Sequence, residues 1–305
     1  MKLVIATRGS ALALWQANHI KDLIEKEHPQ CSVELNVIKT QGDKILDVPL
    51  AKIGGKGLFV KEIEEAMLAG QADIAVHSMK DVPVELPEEL EIWVNPRRES
   101  PYDAFLSVKY KSIDELPAGA VVGTSSLRRK LQLLALKPDL SIKELRGNVD
   151  TRIRKMTDGE YDAIILAQSG LNRLGLTEHI RQTIPAEVML PAICQGALGI
   201  EARKDDSKTK ELLAFLKDKT TETAVAAERA FLTKLEGGCQ APIGAHAVLN
   251  GSTLTLTGFL SDLEGKKVIK ERISGNSADA AGLGTKLAES ILAYGGQAIL
   301  KELYS

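Results

Sequence analysis

Apolar residues recur along the first two thirds of the chain in a strand–helix–strand rhythm. Residues 2 to 8 read as a buried strand, 10 to 27 as an amphipathic helix and 33 to 39 as an alternating strand, together a βαβ opening. A helical pattern from about 58 to 69 and a strand over 72 to 78 extend it. The rhythm then restarts: strand 120 to 124, helix from about 126 to 136, strand 140 to 145, helix from about 150 to 157, strand 163 to 167. Strands alternating with helices predict parallel sheets with helices on both faces.

The two series read as sister α/β domains joined near residues 95 to 103, where Pro96 and Pro101 punctuate the chain, with a second crossing near 191 to 199. If residues 197 to 203 pair back into the first sheet, the first domain is discontinuous and the two meet across a two-stranded hinge. From about Thr220 a long helix runs to about Leu235. Three alternating strands follow, at roughly 243–249, 253–260 and 267–274, and then helices from 278 onward, a small α+β domain with a three-stranded antiparallel sheet. The expected division is 1–98 with 196–217 as a discontinuous first domain, 99–195 as a second and 218–305 as a third.

With 305 residues and 44% apolar composition the chain can bury more than one sizeable core. No window approaches the roughly 18 uninterrupted apolar residues of a membrane span, and the first residues run straight into a strand pattern without a secretory apolar region, so a cytoplasmic location is expected. The three cysteines, Cys31, Cys194 and Cys239, are odd in number and far apart, which argues against a disulfide framework or a structural zinc site and predicts reduced thiols and no metal. With 39 basic and 41 acidic residues the net charge is −2, which gives no reason to expect a nucleic-acid or membrane-surface partner. The distribution says more: seven of the 13 arginines fall between Arg128 and Arg181, a local density that suggests a focused anion site.

Ligands of open parallel sheets bind beyond the carboxyl ends of strands, and the distinctive residues fall there. Arg8 and Ser10 follow the first strand, and His77, Lys80 and Asp81 close a later one. Thr124, Ser126, Arg128 and Arg129 open a helix, and Arg146 and Arg152 flank another strand-to-helix turn. Free N–H groups, hydroxyls and guanidinium forks at such turns bind carboxylate or phosphate. The 124 to 126 segment taken singly reads equally as helix capping. Asp81 suits proton transfer beside a developing cation, or a loop carboxylate paired with Lys80. His77 has no metal-ligand partner at helical spacing and reads as a structural histidine. Residues 40 to 57 make a long glycine-bearing loop, a lid with Lys52 and Lys56 over an anionic ligand or a solvated loop; its Gly54-Gly55-Lys56-Gly57 lacks Walker spacing, which excludes ATP on that ground. Cys239, in Leu-Glu-Gly-Gly-Cys-Gln-Ala-Pro-Ile-Gly, is presented on a turn with little bulk around the sulfur. It can form a covalent bond or sit as a small apolar residue under a loop.

Taken together, Ala6-Thr7-Arg8 with Leu14-Trp15-Gln16, Gly54 to Phe59, residues 77 to 83, 123 to 129 and 145 to 149, Gln195-Gly196-Ala197 and residues 235 to 244 resemble the porphobilinogen deaminase (hydroxymethylbilane synthase) family in order and spacing over essentially the whole chain. The resemblance implies two periplasmic-binding-protein-like α/β domains joined by a hinge and a third domain carrying the cysteine. It implies a monomeric transferase of tetrapyrrole (haem and chlorophyll) biosynthesis whose dipyrromethane cofactor is held by Cys239 in thioether linkage. On that primer four porphobilinogen units condense head to tail with loss of ammonia, and hydrolysis releases hydroxymethylbilane. By the same resemblance Asp81 is the catalytic carboxylate, stabilising the cationic azafulvene formed as the amine leaves. Lys80, Asp81, Thr124, Ser126, Arg128, Arg129, Arg146 and Arg152 hold cofactor, while Arg8, Ser10, Gln16, Phe59, Arg146, Arg152, Arg173 and Gln195 hold substrate, with Lys52 and Lys56 on the lid.

Two other classes compete. Paired α/β domains around a hinge also describe non-catalytic solute binders and regulator effector domains, but a binder has no need of a covalent adduct and no DNA-binding helix-turn-helix segment is recognisable. A cysteine-nucleophile hydrolase would want a histidine base, for which His246 is the nearest candidate in sequence.

Overall fold

The computed structural model describes residues 1–44, 60–235 and 241–304. They divide into two compact units, Met1–Glu99 with Ala197–Glu222 and Ser100–Gly196 with Thr223–Ser305.

The first unit is built on a five-stranded sheet of β1 (Lys2–Arg8), β2 (Ser32–Ile38), β3 (Ile74–Ser78), β4 (Leu90–Val94) and β10 (Leu198–Arg203), in the order β2-β1-β3-β10-β4. Alternate residues of its strands point to opposite faces. Leu3, Ile5, Ile74, Val76 and Ile200 meet Ala17, Ile20 and Ile24 of α1 (Ala11–Glu27), whose buried positions recur at helical spacing. On the other face Ala6, Ala75 and Leu90 meet Ile63 and Met67 of α2 (Lys61–Leu68).

The second unit repeats the plan with β5 (Asp103–Leu106), β6 (Val121–Gly123), β7 (Ser141–Lys143), β8 (Ala163–Ala167) and β9 (Ile180–Ile184), in the order β7-β6-β8-β5-β9. Phe105, Val122 and Ile165 pack with Leu133 of α3 (Leu127–Leu136). Ala104, Leu106 and Ile164 pack with Ile153 and Met156 of α4 (Val149–Thr157) and Leu171 of α5 (Gln168–Leu174).

Both sheets are mixed rather than parallel. β10 runs antiparallel to β3 and β4, and β5 runs antiparallel to β8 and β9. These two are the strands that follow the chain's crossings, near 95 to 103 and 191 to 199, so each enters its sheet from the end opposite to a βα connection and points the other way. The strand–helix rhythm has no signature for a strand reached without an α-helix, and β4 and β5 are strands of that kind.

After α6 (Ser207–Leu213), α7 (Lys219–Lys234) leads to an antiparallel three-stranded sheet, β11 (Ile243–Asn250), β12 (Thr253–Ser261) and β13 (Val268–Asn276), in register from Ile243↔Leu260 and Thr253↔Asn276. Two further helices follow, α8 (Ala280–Ile291) and α9 (Gln297–Tyr304). Among the described residues no helix is long and apolar enough to cross a membrane.

Candidate active site

Within the first unit the candidate residues gather at the carboxyl ends of β1 and β3, which lie side by side and parallel. Arg8 ends β1, half-buried. Ser10 caps α1, its Oγ accepting from the Ala13 amide at 3.3 Å; the Ala13 N–H is one of the unpaired donors that any helix start must satisfy. Gln16, buried in α1, donates from Nε2 to Ser78 Oγ at 3.0 Å and so ties that helix to the end of β3. β3 runs straight into a single 3-10 turn, Met79–Asp81. The turn is pinned by the Met79 amide donating to the Ala197 carbonyl at 3.0 Å. Gly199 of β10 leaves room for Met79 beneath it, since a Cβ there would collide with Met79 Sδ. Lys80 is half-buried, while Asp81 is exposed and makes no hydrogen bond or ion pair among the described residues. The Lys80–Asp81 pairing considered from sequence is not formed. His77 is buried and donates from Nε2 to Glu201 Oε2 at 2.9 Å, a structural histidine with a satisfied ring nitrogen.

Within the second unit the candidates follow the ends of β6, β7 and β8. Ser126 caps α3, accepting from the Arg129 amide at 3.4 Å, and its own amide donates to Thr124 Oγ1 at 3.2 Å. Ser125, which the sequence did not single out, donates to the Leu145 carbonyl at 2.7 Å and accepts from the Leu145 amide at 3.2 Å. That reciprocal pair locks the Thr124 turn to the Arg146 turn. Gly147 makes the latter possible: its φ is 113°, and a Cβ there would lie 2.7 Å from Thr151 Cγ2.

Arg128 and Arg129 are both buried and both face Asp103. Arg128 Nη1 donates to Asp103 Oδ2 at 2.8 Å and to the Leu190 carbonyl at 2.6 Å. Arg129 reaches Asp103 Oδ1 through Nε at 3.1 Å and Nη2 at 2.7 Å, and the Ile165 carbonyl through Nη1 at 3.0 Å. Gln195 Nε2 adds 2.9 Å to Asp103 Oδ1 and 2.7 Å to the Pro101 carbonyl. Burial alone would raise the Asp103 carboxyl, but the two guanidinium groups outweigh it and hold it well below the usual carboxylate range. Asp103 is the residue that sequence reasoning missed; a lone acid opening the apolar run Asp-Ala-Phe-Leu was its one signal.

The remaining arginines differ in how far they are engaged. Arg173 is buried and donates from Nη2 to the Gly196 carbonyl at 2.7 Å. Arg146 donates from Nε to Glu144 Oε1 at 2.8 Å. Arg152 donates from Nε to the Gly147 carbonyl at 2.7 Å and has no carboxylate within ion-pair distance among the described residues. Burial, and then the positive charges of Arg129 and Arg146, pull it down to about 10. A guanidinium in that field gains from an anion, so this edge fits a ligand rich in carboxylates. Phe59, Lys52, Lys56 and Cys239 lie outside the described residues.

The sequence profile described as porphobilinogen deaminase, dipyrromethane cofactor binding domain, matches residues 3–211, and that described as porphobilinogen deaminase, C-terminal domain, matches residues 222–293. The chain belongs to the porphobilinogen deaminase family. It is an enzyme of that family, a transferase of tetrapyrrole synthesis, with the family's dipyrromethane cofactor domain. The porphobilinogen deaminase of Maridesulfovibrio salexigens is 57% identical over 303 residues, covering 99% of this chain and 98% of that one. Those of Nitratidesulfovibrio vulgaris strain Hildenborough and Trichlorobacter lovleyi are 58% and 57% identical, each covering 99% of this chain and 97% of the relative. A nutrient-binding protein from Burkholderia cenocepacia, solved bound to methionine, is similar at 15% identity and a TM-score of 0.42, over 70% of this chain and 90% of that one.

Proposed function

We propose that the chain joins four porphobilinogen units head to tail on a dipyrromethane held by Cys239, with Asp81 as the catalytic carboxylate, and then releases the linear tetrapyrrole by hydrolysis. The observation that carries the reading is the contrast between Asp81, an exposed carboxylate with no partner among the described residues, and Arg152, a half-buried guanidinium with no carboxylate within ion-pair distance among them. One is available to a cation, the other to an anion, and the substrate supplies both.

The dipyrromethane, when bound, supplies the terminal pyrrole carbon to which a substrate unit is joined. Arg146, Arg152, Lys80, Thr124 and Ser126 hold its acetate and propionate groups, and Arg8, Ser10, Gln16, Phe59, Arg173 and Gln195 hold the incoming substrate, with Lys52 and Lys56 on a lid. Arg128 and Arg129 belong to the cofactor-holding set as well, while each also donates to Asp103. As the aminomethyl C–N bond breaks, the amine takes a proton and leaves as ammonia. Asp81 stabilises the positive charge left on the substrate pyrrole. With the cofactor bound, Asp81 would also accept the proton that is released when the substrate unit is joined. We read the chain further as three domains (1–98 with 196–217, 99–195 and 218–305), monomeric and cytoplasmic, without a nucleic-acid partner; the net charge of −2 is in keeping with the last point.

The test is the intact mass of the purified, denatured protein. Wild type is expected to carry an excess equal to two condensed porphobilinogen units, and Cys239→Ser to lack it; normal loading of the serine variant would sink the attachment. Asp81→Ala is expected to keep the mass excess and lose turnover by about 100-fold or more, the usual range for a removed proton-transfer group. Near-native turnover would take Asp81 out of the mechanism.

A further inference from the structure

Three titratable side chains of the first unit converge on the α2 face of its sheet: Glu64 from α2, His77 from β3 and Glu201 from β10. His77 and Glu201 share that face with Ala75, because His77 lies two residues beyond Ala75 and Glu201 pairs with Ala75 in register. The His77–Glu201 hydrogen bond uses Glu201 Oε2. Glu201 Oε1 and Glu64 Oε1 are both buried without a hydrogen-bond partner, although Glu201 is 0% and Glu64 9% exposed. Two acceptor oxygens buried together with no donor are costly, and one proton between two carboxyl groups removes the cost. Among the described residues no trio of His, Cys, Asp or Glu is placed to hold a metal ion.

The surrounding charges favour that proton. Burial, then the negative charge of Glu201, push the Glu64 carboxyl from 4.5 up to about 7; His77 opposes them and Glu65 adds a little. The other charged groups around α2 have partners elsewhere, although Glu62 Oε2 has none among the described residues. Lys61 pairs with Glu65 on the exposed side at 3.9 Å, Glu62 Oε1 accepts from the Gln41 amide at 2.8 Å, and Arg203 Nη1 donates to the Met67 and Ala72 carbonyls at 3.0 and 2.7 Å.

We propose that Glu64 is a neutral carboxylic acid that donates its proton to Glu201 Oε1, and that the Glu64–Glu201–His77 cluster is the positioning device for the turn that carries Lys80 and Asp81. His77 is the last buried residue of β3 before that turn's Ser78 cap, and the same turn is pinned by the carbonyl of Ala197, just before β10, and by the space at Gly199 within it. A rigid pairing of β3 with β10 therefore fixes where Asp81 stands. The proton comes from solvent and returns to it when Glu64 ionises, and no bond to substrate is involved. The inference rests on the reading of Asp81 as the catalytic carboxylate.

The experiment has two arms on the full chain. In the first, glutamate carboxyls are labelled with carbon-13 and titrated by NMR, and the resonance lost in Glu64→Gln is assigned to Glu64. Its midpoint is expected near 7, and a midpoint in the ordinary carboxylate range would overturn the proton-holding cluster. In the second, turnover is assayed on the acid side of neutrality. Glu64→Gln keeps an N–H donor for Glu201 and is expected to stay within about twofold of wild-type kcat, whereas Glu64→Ala should lower kcat about tenfold with KM little changed. A glutamine variant as damaged as the alanine one, or a loss confined to KM, would overturn the positioning role. Near-native turnover in Asp81→Ala would instead sink the Asp81 reading and leave the titration of Glu64 standing.

Discussion

In the second sheet the reversed strand β5 opens on Asp103, opposite Ala167 at the carboxyl end of β8; in the first sheet the corresponding place on β10 is held by Leu198, opposite Ser78. The first sheet's buried acid, Glu201, lies three residues further along, opposite Ala75. Two sheets of one strand order thus bury an acid on the same strand at different depths and neutralise it by different means. Asp103 faces the two guanidinium groups of Arg128 and Arg129, which hold its carboxyl well below the usual carboxylate range. Glu201 faces the His77 imidazole and a second carboxyl, Glu64, which burial and then the charge of Glu201 push up to about 7. Topology decides where the ligand-facing edge is. The charge beneath that edge decides whether its support is fixed or responsive to protons.

The sharpest way to break the comparison is Asp103→Asn. It keeps the volume and leaves two buried guanidinium groups against an uncharged amide. Removing one partner of a buried pair costs about 3–5 kcal/mol, to be read as a lower denaturant midpoint; an unchanged midpoint would mean that the ionised trio does not support the second unit. Arg152→Leu comes next and acts on ligand rather than on fold. Its guanidinium has no carboxylate to lose among the described residues, so the unfolding midpoint should hold or rise slightly. Binding of a carboxylate ligand should weaken by about 1.5–3 kcal/mol, roughly 10- to 150-fold. Measuring KM and cofactor loading beside stability separates the two, and a stability loss without a binding loss would make Arg152 a structural residue.

The strong periodicities were legible. The patterns at 2–8, 10–27 and 163–167 fall on Lys2–Arg8, Ala11–Glu27 and Ala163–Ala167 within a residue, because a buried strand and an amphipathic helix write their period into consecutive residues. The reversed strands were not legible as such, because strand direction depends on which crossing feeds the strand and not on its own residues. At the site, Ser126 as a helix cap could be read locally, since a cap and the amide it serves are three residues apart. The arginine pair could be found but not its partner: Asp103 lies 25 residues before Arg128, joined to it by the sheet. Glu64 is one of three glutamates within residues 62–65, and only packing against β3 and β10 singles it out as the buried one.

The finest test of the comparison is the pH dependence of stability, where the two acids should leave opposite signatures. Asp103 has a folded value below the ordinary 3.8. Its contribution is therefore present at all pH above that value and is lost only as pH falls below it, when the unfolded chain takes up a proton that the folded chain refuses. Glu64 has a folded value of about 7 against 4.5. The folded chain then binds more protons than the unfolded one between those values, so its contribution is complete below 4.5 and declines as pH rises toward about 7, with no further change beyond. Denaturant midpoints taken across the acid and neutral range should thus carry two slopes of opposite sign. Asp103→Asn should remove the rise at the acid end and keep the decline toward neutrality, while Glu64→Gln should do the reverse. If either variant altered both slopes together, the two buried acids would belong to one coupled unfolding unit, and the contrast between a fixed and a proton-responsive support would fail.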